Sequence, residues 1–209
     1  MPTTLKEALK YSNGVHELIW SQLKDTPFPS DARTCLVLAY VSIAMDHQEA
    51  TIRLVDMKLY APAFALLRLE LETVFRGLWV NLMATDEQVT SIGQQGAEPF
   101  PYPFSKFATD LDASYGAGEW MSGFVAKWKT LNGFTHSGLE QLGRRFREDG
   151  NIGSNYPDDM VAELVTISGT LLLGMMMPIY KKLGLNERAN ALDKWLDESV
   201  HAPNPNDGA

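Results

Sequence analysis

The sequence predicts an all-α fold, a single-domain helical bundle of about six to eight helices over residues 1–200. Three observations lead there. No segment alternates apolar and polar residues with a period of two, so no strand is predicted. The stretch APAFALLRLELETVFRGLWVNLMA, residues 61–84, is apolar nearly all round, as a central helix would be. Helix-start signals recur, with Thr4 and Glu7 in one capping box and Thr85 and Gln88 in another. A chain of 209 residues, 45% hydrophobic and without a composition break, suffices for one substantial core.

Thr4 opens a first helix to about Lys24, with Leu5, Ala8, Leu18, Ile19 and Leu23 available for the core and His16 at its boundary. Pro27 and Pro29 break the chain, and Ser30 is placed to cap a second helix running to about Lys58. On it Leu36, Tyr40, Ile43, His47 and Leu54 share an inward face, opposite Asp46, Glu49, Arg53 and Asp56. A short connection at 59–61 predicts that this helix and the central one form an antiparallel hairpin, which lets His47 approach the central helix.

Pro62 suits the first turn of the central helix. Phe64, Leu67, Leu71, Phe75, Leu78 and Leu82 form its main face, Leu66, Leu69 and Val80 a second apolar sector, and Glu70, Thr73, Gly77 and Asn81 the wet side. Between the apolar sectors run Arg68, Glu72 and Arg76 at i, i+4 spacing, with Trp79 on the same line. Buried charges must be paired. The line is thus a structural ladder that fixes helix packing, a site whose arginines face an anion while Glu72 holds them, or simply a solvated face, against which the apolar flanks on both sides argue.

Thr85 caps a short helix to about Ser91. Pro99–Phe104 alternates proline with aromatics and predicts an extended loop whose rings dock on the bundle, or else a lid or a partner-binding edge. A fourth helix covers 105–115, Gly116–Gly118 break it, and 119–132 form a fifth with Trp120, Phe124 and Trp128 on one side. His136 follows in a polar turn, then a helical stretch that displays Arg144, Arg145 and Arg147. Asp158 or Asp159 caps a long apolar helix to about Leu183, Gly184 stops it, and Asn186 caps a last helix to about Ser199. The run 164–179 is too short and too interrupted for a membrane span, so it is predicted to be a buried core helix, and residues 201–209 are predicted to be a disordered tail.

The phrase Leu131-Asn132-Gly133-Phe134-Thr135-His136 resembles the terminal motif of the HEPN-like superfamily of helical-bundle proteins, in which an arginine precedes a histidine by four to six residues, often with a polar residue after the arginine. Asn132 and His136 match in type and spacing. The arginine's place holds Leu131, or Thr130 or Lys129 for a longer gap. A wider likeness to uncharacterised bacterial helical proteins near that group rests on His47, the Arg68, Glu72, Arg76, Trp79 line, His136 and Gly138. The resemblance implies a homodimer, metal-independent RNA cleavage with histidine as acid or base and arginine steadying the phosphate, and, for toxin-like members, an antidote protein partner.

Two functions follow. In the first, His136 is the acid or base of an RNA- or nucleotide-directed phosphotransfer. Arg68 and Arg76 bind the anion, with one of them replacing the motif arginine; Glu72 orients them and His47 is a second proton carrier. Asn132, Lys129, Arg144 and Trp79 complete the ligand-binding surface. In the second, the protein is a non-catalytic homodimer whose Arg–Glu–Arg and His network is structural or binds a small anion or partner. No metal or other cofactor is expected, since the four histidines are scattered and no H-x-x-x-H spacing occurs. Eighteen basic against 26 acidic residues, a net charge of -8, exclude a protein that coats nucleic acid non-specifically while allowing a local basic site. The single Cys35 excludes an intrachain disulfide and, beside Leu36 and Val37, predicts a buried, inert thiol in a reducing cytosol. The N-terminus lacks a signal-peptide layout, so neither export nor a membrane is expected.

Overall fold

The computed structural model describes residues 2–92, 94, 104–115 and 120–201, less a few side chains including those of Trp128 and Lys129. Expectations placed on Pro99–Pro103, on Gly116–Gly118, on the Trp128 and Lys129 side chains and on 202–209 lie outside the described residues. Among those residues the chain is all-α, with nine helices rather than six to eight. They are α1 (Leu5–Leu23), α2 (Ala32–Asp56), α3 (Tyr60–Leu82), α4 (Asp86–Ser91), α5 (Phe104–Tyr115), α6 (Trp120–Thr135), α7 (Leu139–Gly143), α8 (Asp158–Lys182) and α9 (Asn186–His201). One isolated antiparallel bridge, Phe146 to Ile152, closes the loop after α7.

Both predicted capping boxes form, at Thr4 with Glu7 and at Thr85 with Gln88. Other ends differ. Asp31, not Ser30, caps α2 through Thr34, Pro157 precedes α8 with Asp158 and Asp159 in its first turn, and Asn186 lies inside α9. α3 starts at Tyr60, ahead of Pro62, and α9 runs through His201. The helical stretch after His136 ends at Gly143, which leaves Arg144, Arg145 and Arg147 in the loop.

α2 and α8 end in the same six-residue motif. Leu59 N–H donates to the Leu54 carbonyl at 2.8 Å and Lys58 N–H to Val55 at 2.9 Å, while Leu185 donates to Tyr180 at 2.8 Å and Gly184 to Lys181 at 3.2 Å. The left-handed residue is Gly184 (φ 73) in one and Lys58 (φ 59) in the other. Gly184→Ala is therefore expected to destabilise by about 1 kcal/mol and Lys58→Gly to stabilise by a few tenths to about 1 kcal/mol, read from urea midpoints.

α2 and α3 form the predicted antiparallel hairpin, since Arg33 near the start of α2 reaches the Val80 carbonyl near the end of α3 (2.5 Å). α8 packs against α1, α2, α3 and α9, and α6 against α3 and α5. α8 is apolar and long enough to cross a membrane by length and composition, yet 61% of its most apolar window is buried inside the fold.

The predicted faces need correction in two helices. On α3 the supposed wet side is core: Glu70, Thr73, Gly77 and Asn81 are all buried. Gly77 marks close packing, because a Cβ there would lie 3.0 Å from the Tyr40 Cβ and 2.3 Å from the Met175 Cε. α8 covers this sector. The part of α3 nearest solvent is instead the strip holding Leu69 and the Arg68, Glu72, Arg76 line. On α2 the buried stripe is Val37, Val41, Ala44, Gln48, Thr51, Ile52 and Val55, so Ile43 is exposed and His47 is half-buried at the margin. Cys35 is exposed rather than buried, on the side of α2 facing away from α3.

Candidate functional site at the edge of α3 and α6

Arg68, Glu72 and Arg76 occupy successive turns of one side of α3, so their long side chains meet along the helix. Both guanidinium groups pair with the Glu72 carboxylate, and Arg76 Nε reaches its Oε1 at 3.0 Å. The three side chains are 18%, 26% and 34% exposed in chain order, neither sealed nor freely solvated. Partial burial by itself pushes the Glu72 carboxyl up. Hydrogen bonds from Arg76 and Arg68, with their charges, outweigh it and hold the group below its ordinary value.

α6 meets this line from the side. Arg68 Nε donates to Asn132 Oδ1 at 2.7 Å, and Thr135 Oγ1 bonds the Leu131 carbonyl at 3.1 Å and the Ala65 carbonyl of α3 at 3.5 Å. One turn beyond Asn132 the helix stops. His136 N–H still donates to the Asn132 carbonyl at 2.9 Å, Ser137 takes a left-handed φ of 54, and Gly138 N–H turns back to Gly133 at 2.6 Å. His136 is thus presented, exposed, at the corner beyond the Asn132–Arg68 contact.

The position of α6 depends on Asp112 of α5, which is nearly buried. Its carboxylate accepts from the backbone N–H of Met121 (2.7 Å) and Ser122 (2.8 Å) and from the Ser122 hydroxyl (2.5 Å), capping α6 from a neighbouring helix. Asp112→Ala should lower stability by about 2 kcal/mol and speed amide exchange at the start of α6, with Asp112→Asn milder. An unchanged urea midpoint would count against the capping role.

The remaining candidates fall elsewhere. Trp79 is buried in α3, a core ring rather than a ligand face. His47 forms no hydrogen bond or ion pair with the Arg–Glu line among the described residues; desolvation lowers its pKa, against the charge of Asp46. Arg144 lies in the loop after α7, where its charge and that of Arg145 act on Tyr156, whose pKa burial raises. Tyr40 packs against the core, as its place on the inward face of α2 predicts, and it also stands beside the line. Burial raises its pKa, and Arg76 and Glu72 act on it with opposite signs.

Two polar clusters carried no sequence signal. Glu70 is fully buried, accepts a hydrogen bond from the Ser168 hydroxyl at 2.6 Å and leaves Oε1 without a partner among the described residues. Burial raises its pKa to about 8, so it is a neutral acid inside the bundle at pH 7. Gln48, also fully buried, links Ser12 to His16. Among the described residues no group of three or more His, Cys, Asp or Glu could hold a metal ion.

Comparison with known protein families gives a match over residues 41–194, more than half of the chain. The chain belongs to DUF6988, a family of unknown function. The DUF6988 match includes α3, α6 and α8 and hence the whole Arg68, Asn132, His136 edge. No curated protein and no solved structure matches the chain.

Proposed function

We propose that this DUF6988 protein is HEPN-like and acts on the phosphodiester backbone of RNA at the α3–α6 edge. The observation that supports this most is the hydrogen bond from Arg68 to Asn132, one helical turn before the exposed His136. It brings an arginine from another helix to the segment whose own arginine is missing. Glu72 holds the two guanidiniums of the line in fixed orientation, as an anion site requires.

In this reading His136 accepts the proton of a ribose 2′-hydroxyl. The 2′-oxygen attacks phosphorus, the bond to the 5′-oxygen breaks, and that oxygen takes a proton from solvent. The products are a 2′,3′-cyclic phosphate and a 5′-hydroxyl end. Arg68 steadies the charge on the non-bridging oxygens. The protein works in the reducing cytosol that its single cysteine suggests, as a homodimer restrained by an antidote-like partner as the resemblance implies, and the exposed Leu139, Leu142, Phe146 and Ile152 beyond His136 offer apolar surface for such contacts.

The test is cleavage of a fluorescently labelled single-stranded RNA by the purified protein in the presence of a chelator, with His136→Ala as the control. A second reading, that the line is architecture, draws on the saturation of Glu72 by both arginines. It prevails if neither cleavage nor RNA binding is seen.

A further inference from the structure

On the far side of α2 from α3, an open groove of about 600 Å³ runs between α1 and α2. Its walls include Trp20, Phe28 and Met45, and Asp46, Glu49 and His16 bring polar groups to it. Trp20 is 58% exposed, although an indole buries more apolar surface than any other side chain when it finds a partner.

The histidine is fixed from beneath. Gln48 Nε2 donates to the Ser12 carbonyl and to the Ser12 hydroxyl, both at 3.0 Å, and because a carbonyl can only accept, the amide orientation is determined. Gln48 Oε1 therefore faces His16 Nδ1 at 2.9 Å, and Nδ1 must carry the hydrogen. A neutral ring then keeps Nε2 as an acceptor. The groove thus combines a histidine acceptor, two carboxylates and aromatic faces, while among the described residues no lysine or arginine lines it. Arg53 pairs with Glu49 at 3.2 Å from outside the lining.

We propose that this groove binds an organic cation, a protonated amine on an aromatic or aliphatic body. The body lies against Trp20, Phe28 and Met45, and the ammonium group faces Asp46 and Glu49 with an N–H available to His16. Aromatic faces and carboxylates both attract such a group, and neither favours an anion. The groove is separate from the α3–α6 edge, so the two assignments stand or fall independently.

Titration calorimetry of the full chain at low salt, with 2-phenylethylamine and with its neutral counterpart 2-phenylethanol, tests this. The amine should bind with a Kd of about 10 mM or below, and about tenfold more tightly than the alcohol. The double variant Asp46→Asn/Glu49→Gln should reduce the amine to the level of the alcohol, and Trp20→Ala should weaken both. These side chains are exposed, so the fold should persist, which circular dichroism checks. Equal affinities for the two ligands, no binding of the amine, or amine binding unaffected by either variant would each overturn the proposal.

Discussion

Replacing Glu70 with glutamine is expected to stabilise the protein by about 2 kcal/mol at pH 7 and to make little difference near pH 4.5. The buried carboxyl has its pKa raised from 4.5 to about 8 by desolvation, only partly offset by the Ser168 hydrogen bond. Between those values the folded protein holds a proton at Glu70 that the unfolded chain has released. Stability from this group is therefore fully present below pH 4.5 and is lost as the pH rises through about 8. From pH 4.5 to 7 the loss approaches 3 kcal/mol, of which glutamine returns part because its amide is also incompletely paired. Urea midpoints of both proteins at pH 4.5, 7 and 8.5 should diverge as the pH rises. Parallel profiles would mean that Glu70 is ionised and paired in solution.

If RNA is the substrate, His136→Ala and Arg68→Ala should each lower kcat/KM by about a hundredfold or more. The double variant should fall little further, because base and anion holder act in one transition state. Arg68→Lys should recover only a small part, since an ammonium group cannot donate from Nε to Asn132 while also forming the forked pair with Glu72. His136 is exposed, so its loss should leave the urea midpoint unchanged. Full activity in His136→Ala, or loss of wild-type activity to a chelator, would rule the mechanism out.

The helices themselves were legible because their signals are local. The capping boxes at Thr4 and Thr85, the glycine at 184 and the interrupted apolar run of α8 each determine structure within a few residues. Burial on α3 was not legible. A helix apolar nearly all round does not reveal which sector meets solvent, and Glu70, Thr73 and Asn81 read as wet only because their neighbours on other helices are absent from a local pattern. Ser168 reaches Glu70 across 98 positions, and Lys182 reaches the Asn81 carbonyl across 101. At the candidate site, His136 stood out by its polar, glycine-marked turn and Arg68 by its place on an apolar helix. Their connection through Asn132 spans 64 positions. Asp112, which seats α6, resembles any surface acid of an amphipathic helix until the start of α6 is brought to it.

The pairing of α1 with α8 also bears on how the chain is made. Tyr11 on α1 bonds Thr170 on α8, a separation of 159 residues. At ordinary rates of translation α1 waits about ten seconds or more for that partner. The α2–α3 hairpin needs only neighbouring residues and can assemble meanwhile. Until α8 emerges, the side of α1 that carries Tyr11 lacks the helix it packs against most, and the nascent chain displays this apolar surface to whatever chaperones attend the ribosome.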